Sequence, residues 1–199
     1  MRGQTIRRWV RTATVSTLPL LLLGCSFAQP SGAIAQEHLA LASLPANIAI
    51  DAAASGYQAG GTLGFTLRDT PIQEQLYRRD AGAERGLVWS AEFVSRWPLN
   101  VDQLDRWSAQ AIGLMADDLG SDVQLAGYER LDASDVGDER VAYRYQLATT
   151  SGQPLGDATI VVFSRGDDVG LTGSAAIGTE PPVDATTLAR ALDASAHRG

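Results

Sequence analysis

The chain has 199 residues and a formal net charge of −7, with 23 acidic side chains against 16 basic ones, all of them arginine. Because an acidic chain is repelled by a phosphate backbone, we expect no nucleic-acid partner. A single cysteine and two histidines exclude a disulfide framework and a zinc cluster, and no cofactor is expected. The length predicts one domain with its own hydrophobic core.

Residues 1–24 have the pattern of a bacterial export signal. Four arginines without an acid precede an apolar run of about 12 residues, which is too short for a membrane span of ~20 residues. The run ends in Leu22-Leu23-Gly24-Cys25, which resembles the lipobox of bacterial lipoproteins. The resemblance implies cleavage before Cys25, lipidation of Cys25 with groups such as palmitate, and an extracytoplasmic protein anchored in the periplasm, in a lumen or at the cell surface.

Two other export routes stay open. Cleavage after Ala28 or Ala35 would give an ordinary secreted protein, because both alanines end a small-x-small pattern. Arg7-Arg8 also fits a twin-arginine signal, although the usual apolar pair does not follow it. Residues 25–46 are rich in Ala, Ser, Gln, Gly and Pro and predict a flexible tether, so that residues 47–199 form the single domain.

The N-terminal third of the domain has the weakest periodicity. Alternation predicts short strands at residues 48–50 and 63–67, the second one after two glycines. We expect a short helix over 72–79 and an exposed loop over 78–82. Residues 87–94 alternate again and predict a strand that is buried on one face.

The clearest element is a helix over 101–119. Apolar residues recur on one side at a spacing of 3.6, with Leu104 and Met115 among the expected core residues. Asn100 is a credible N-cap, with Gln103 three residues later in a capping-box pattern.

An antiparallel meander follows this helix. Strands are predicted over 123–131, 141–147, 158–163 and 169–177. Asp184 then caps a last helix that places Leu188 and Leu192 in the core. The order of elements predicts an α+β fold in which an antiparallel meander is packed by one long and one C-terminal helix.

The predicted domain lacks the residues on which common hydrolases depend. There is no lysine and no G-x-S-x-G motif, while His38 lies in the tether and His197 lies next to the C-terminus. We therefore predict that the protein is not an enzyme. Four acidic residues crowd one loop: Asp132, Asp135, Asp138 and Glu139. Their spacing is not that of a calcium-binding loop, so we assign no metal ligands and expect at most weak Ca²⁺ binding there.

One tryptophan is the candidate for partner binding. Trp89 and Trp107 lie on predicted apolar faces and are expected in the core. Trp97 instead precedes Pro98 at the corner between a strand and the long helix. A half-exposed tryptophan at such a corner could anchor a partner.

From residue 87 onward the order of elements resembles the lumenal PsbP-like family, whose cyanobacterial members are lipoproteins. The shared order is a strand, a helix, an antiparallel meander with a tyrosine-rich strand (here Tyr143 and Tyr145) and a closing helix. The resemblance implies a PsbP-like sandwich and an accessory role at a membrane complex of the photosystem kind. It transfers no site residue, because the metal-binding histidine of the family has no counterpart here.

Three functions follow as hypotheses. The first is a lipid-anchored, non-catalytic domain that binds a membrane-protein partner, the second a domain that binds or senses a small ligand, and the third a hydrolase that uses carboxylates alone. An exposed aromatic patch would favour the first hypothesis and a deep apolar cavity the second. Two close acids with raised pKa values would favour the third.

Overall fold

The computed structural model describes residues 45–196, which belong to one compact unit. Within these residues a single antiparallel sheet of seven strands has the order β1-β2-β3-β7-β6-β5-β4, which confirms the α+β prediction. The predicted signal, Cys25 and nearly all of the tether lie outside the described residues. The elements in chain order are α1 (Ala46–Ala54), β1 (Gln58–Ala59), β2 (Gln73–Ala81), β3 (Glu84–Val94), α2 (Val101–Leu119), β4 (Val123–Arg130), β5 (Glu139–Thr149), β6 (Pro154–Arg165), β7 (Asp168–Ile177) and α3 (Ala185–Ala196).

Helices cover both faces of the sheet. The core on the α2 face includes Trp89 and Leu171, and the core on the opposite face joins residues of α1 and α3 to Val88 and Val161. The prediction that residues 87–94 are buried on one face only is therefore wrong. Strands between two helical layers read as nearly continuous apolar runs, which explains the sequence of β3 and β6.

Helix α2 begins and ends where its sequence predicts. The Asn100 side chain accepts a hydrogen bond from the Gln103 N–H at 2.9 Å, which satisfies one of the free N–H groups of the first turn. Leu104 and Met115 are completely buried, as expected. Gln110 is exposed, yet its side chain donates to the carbonyl of Thr66 at 3.1 Å.

Helix α3 also confirms its predicted cap. A carboxylate oxygen of Asp184 accepts from the N–H groups of Thr186 and Thr187, at 2.9 and 3.0 Å. Burial alone would raise the pKa of Asp184, but these bonds and one from the Thr187 hydroxyl outweigh it and hold that pKa below its ordinary value. Leu188 and Leu192 are buried in the core.

Three predictions for the N-terminal third are wrong. Residues 48–50 lie in helix α1, which buries Ile48 and Ala52 at the i, i+4 spacing of one helix face. Residues 72–79 do not form a helix, because β2 runs through them and pairs with β3 from Gln73 to Ala81. The same strand takes up residues 78–81 of the predicted loop, of which only Gly82 lies in the turn before β3. Pairing to a buried strand overrides the local preference of a polar segment, since β propensity depends on context.

Residues 60–72, here called the strap, replace the strand predicted at 63–67. Leu63 and Phe65 are buried as the alternation indicates, but the strap forms no strand and contains only an isolated bridge between Leu67 and Thr70. Its path is fixed by Glu74 of β2, which accepts from the Leu63 N–H at 3.0 Å and from the Trp89 indole N–H at 2.9 Å.

No described helix is long and apolar enough to cross a membrane.

Candidate functional site

The corner between β3 and α2 is held by a network centred on Ser95. Its backbone N–H donates to the Asp167 carbonyl at 2.8 Å. Its buried hydroxyl accepts from the Trp97 N–H at 3.2 Å and donates to the Trp97 carbonyl at 3.0 Å. Pro98 restricts the preceding residue to extended conformations, and Asn100 then caps α2. The backbone of Trp97 is therefore fixed on both sides.

The Trp97 side chain is 51% exposed, whereas Trp89 and Trp107 are 0% and 3% exposed. The core positions predicted for Trp89 and Trp107 are confirmed. Within the described residues Trp97 is thus the tryptophan that the fold leaves in contact with solvent. A large ring on a fixed backbone loses little conformational freedom when it binds, which suits an anchor.

An open depression of about 620 Å³ lies beside Trp97. The exposed carboxylates of Glu139 and Asp167 contribute to its wall, and Arg96 contributes an exposed guanidinium. Asp138 also lines it, but this carboxylate is held by Arg165 at 3.2 Å and by the backbone N–H of Gly166 at 2.9 Å. The corner thus combines an indole surface with carboxylates that a cationic ligand could reach.

The acidic loop predicted over 132–139 is packed rather than simply solvated. Ala133 and Val136 are buried against the α3 side of the sheet. Asp135 bonds to Arg190 at 2.6 Å, and this hydrogen bond holds the pKa of Asp135 below its ordinary value. Among residues 45–196 no group of three His, Cys, Asp or Glu side chains is arranged to hold a metal ion.

A second exposed aromatic surface lies at the β4 side of the sheet. We call it the tyrosine surface; it consists of Leu125, Tyr128, Tyr143 and Tyr145. Its three rings lie 5.6–6.2 Å apart between centroids, and Tyr128 is 70% exposed. Tyr143 and Tyr145 pack against the core on the α2 side, but both are only partly buried because β5 is next to the edge of the sheet. No local sequence pattern marks Tyr128 as a site residue.

Tyr143 connects this surface to α2. Its hydroxyl donates to a carboxylate oxygen of Asp105 at 2.7 Å. Burial, followed by this hydrogen bond and the charge of Asp105, raises the pKa of Tyr143 to about 12. The phenol therefore remains a neutral donor near pH 7 and fixes β5 against the first turns of the helix.

Two of the described aspartates, Asp122 and Asp135, are held in their ionised form by arginine side chains. Hydrogen bonds from Arg85 and Arg190 hold the pKa values of Asp122 and Asp135 below their ordinary range, opposite to the shift that a general acid needs. A depression of about 710 Å³ near β1 includes Arg78 in its lining, but this guanidinium is bound to Asp118.

Comparison with protein-family models, with curated proteins and with solved structures finds no match for this chain. The resemblance to the PsbP-like family stays a prediction.

Proposed function

We propose that this protein is a non-catalytic domain that binds a partner through the Trp97 corner and is tethered to a membrane by a lipid on Cys25. The observation that carries the proposal is the half-exposed indole of Trp97 on a backbone fixed by Ser95 and Pro98. Exposed aromatic rings on rigid supports are typical centres of protein–protein interfaces.

The charge of the domain indicates the kind of partner. Residues 45–196 carry 11 arginines and 22 acidic side chains, a net charge of −11. Glu139 and Asp167 bring part of this charge to the Trp97 depression. A basic side chain of the partner could stack on the indole and pair with one of these carboxylates. The preferred partner surface is therefore apolar with a positive rim.

The membrane part of the proposal rests on the lipobox-like sequence and the acidic surface. Removal of residues 1–24 would leave 12 arginines against 23 acids. Such a surface gains nothing from anionic headgroups, so the lipid on Cys25 would supply the attachment. The element order of this domain resembles that of the PsbP-like family. On that resemblance, the partner would be a membrane complex to which this domain is an accessory.

Co-purification from detergent-solubilised membranes tests the partner. The full chain should recover a stoichiometric membrane protein, and Trp97→Ala should reduce that recovery roughly tenfold, the loss of ~1.4 kcal/mol of binding energy. Asp117→Ala is the matched control, because Asp117 is exposed near the other end of α2. Equal recovery with Trp97→Ala and Asp117→Ala would contradict the proposal.

The anchor has a separate test. Cys25→Ser should release the protein from membranes or block its processing, while the purified domain should still bind its partner. Mass spectrometry of the native protein should find a lipid-modified N-terminal cysteine. An unmodified mature chain that starts at Gln29 or Gln36 would show ordinary secretion instead.

A further inference from the structure

We propose that the β4 edge of the sheet is a second binding site, which takes up an extended segment of a partner polypeptide as an added strand. In this segment, apolar side chains alternate with basic ones. This site is separate from the Trp97 corner and does not depend on it. The evidence is the open backbone of β4, the tyrosine surface on one side of it and an acidic, polar groove on the other.

The first observation is that β4 is a long and open edge. Within the described residues no strand lies beyond β4, and seven of its eight residues are exposed. The Leu131 N–H donates to the Ala142 carbonyl at 2.9 Å, which makes these two residues a hydrogen-bonded pair just past the end of β4. Bonded and non-bonded pairs alternate in an antiparallel ladder, so the N–H and C=O groups of Tyr128 and Arg130 point away from β5. These groups can pair with another chain.

The second observation is that the two sides of this edge differ. Tyr128 lies opposite Tyr145, and Leu125 lies opposite Leu147, so the exposed apolar side chains of β4 share the α2 side. Glu129 lies opposite Arg144 on the other side, where a groove of about 470 Å³ also includes Gln146 and Asp157. A strand added to β4 would present alternate side chains to these two surfaces.

Charge selects the occupant. Glu129 and Asp157 place two carboxylates in the groove against one guanidinium, that of Arg144, which already pairs with Glu129 at 3.0 Å. A basic side chain from the added strand would therefore be favoured there, and an acidic one repelled. A second copy of this chain is a poor occupant, because residues 45–196 of each copy carry a net charge of −11.

Synthetic peptides of about eight residues, a typical strand length, provide the probe. One alternates valine with arginine, and a second alternates valine with glutamate. Fluorescence anisotropy with the full chain should show binding of the first peptide at least tenfold tighter than that of the second. In an added strand, every other backbone N–H points toward β4 and the rest point away from it. N-methylation of the first set should abolish binding of the valine–arginine peptide, while N-methylation of the second set should preserve it. Insensitivity to the register of methylation would overturn the added-strand geometry.

Two variants assign the site to β4. Tyr128→Ala should weaken binding of the valine–arginine peptide roughly fivefold, through loss of the exposed ring. Glu129→Arg should weaken that peptide and strengthen the valine–glutamate peptide, a reversal that a folding defect would not produce. Absence of peptide binding up to millimolar concentration, or the same affinities in both variants, would overturn the proposal. So would sedimentation showing a dimer of the native chain that Tyr128→Ala dissociates, because the occupant would then be a second copy.

Discussion

The two edges of the sheet are built in opposite ways. At one edge, β1 contains two residues, and the strap then crosses to bury Leu63 and Phe65 beside α2. At the other edge, β4 contains eight residues, of which seven are exposed, among them Tyr128. Folded proteins usually shorten, cover or charge their edge strands because free edges pair with other chains. One edge of this sheet thus has a two-residue strand followed by a buried strap, whereas the other has a long exposed strand, the edge that we propose pairs with a partner.

A few specific contacts position the strap beside β1 and β2. The Gly60 N–H donates to the Leu76 carbonyl at 3.0 Å and thereby extends the β1–β2 pairing by one bond. Gly61 and Gly64, on either side of Leu63, have φ values of 76° and 73°, a region that favours glycine. The short strand β1 is therefore followed by a strap that inserts two side chains into the core rather than by a full strand.

The largest effect should come from removing the side chain that holds the strap. Phe65 is 1% exposed and contacts the ring of Trp89 at 5.9 Å between centroids. Phe65→Ala should lower the free energy of unfolding by ~3–5 kcal/mol, because it deletes a buried ring and leaves a cavity. Urea denaturation measures this change. A loss below ~1 kcal/mol would show that the strap does not contribute to the core.

A smaller loss is expected for Glu74→Ala. This substitution leaves the Leu63 N–H and the Trp89 indole N–H without their shared acceptor, which should cost ~1–3 kcal/mol. Hydrogen exchange of the Leu63 amide should also become faster, because its acceptor is gone. Glu180→Ala, at an exposed carboxylate, is the control and should change neither quantity. Unchanged exchange at Leu63 would contradict the assigned role of Glu74.

At the open edge the expected effect depends on pH. The pKa of Tyr143 is raised to about 12, first by burial and then by its bond to Asp105, whereas an unfolded tyrosine ionises near ~10. Between these pH values the native state keeps a proton that the unfolded state loses. The contribution of Tyr143 to the free energy of unfolding is therefore complete below pH ~10 and is lost as the pH rises toward 12. Chemical denaturation across this window should show a steeper fall for the native chain than for Tyr143→Phe. Parallel curves for the two would contradict the prediction.

The smallest effect on stability should come from Tyr128→Ala. The ring is 70% exposed, so its removal should change the free energy of unfolding by less than ~1 kcal/mol, even though it weakens peptide binding. Thermal unfolding measures this change. Destabilisation as large as that of Phe65→Ala would mean that Tyr128 is needed for folding, and the contrast between the two edges would fail.

The elements with strong local signals could be predicted from the sequence. The 3.6 periodicity of α2 and the caps at Asn100 and Asp184 are properties of neighbouring residues, and they lie where expected. The sequence predicts a corner at Trp97 for the same reason, because the proline that follows it is a local signal. Its exposure agrees with that expectation, and its role in binding stays a prediction.

Features that depend on distant pairing could not be predicted. The local residues of 72–79 predict a helix, but pairing with β3, which is distant from any local signal, makes them a strand. The exposure of Tyr128 depends on β4 lying at the edge of the sheet, and periodicity within one strand does not give the strand order. The strap has the alternation of a strand, but Leu63 and Phe65 are buried without any partner strand beside them.

Site-specific photo-crosslinking in native membranes tests the central claim most directly, namely that this domain binds through the surfaces that it leaves open. A photoreactive aromatic side chain, which keeps a ring at the position, replaces Trp97 in one variant, Tyr128 in a second and Gln58 of β1 in a third. Gln58 is exposed, so all three positions are accessible. We predict discrete protein adducts from positions 97 and 128 and none from position 58. Equal adducts at all three positions, or none at 97 and 128, would contradict the account.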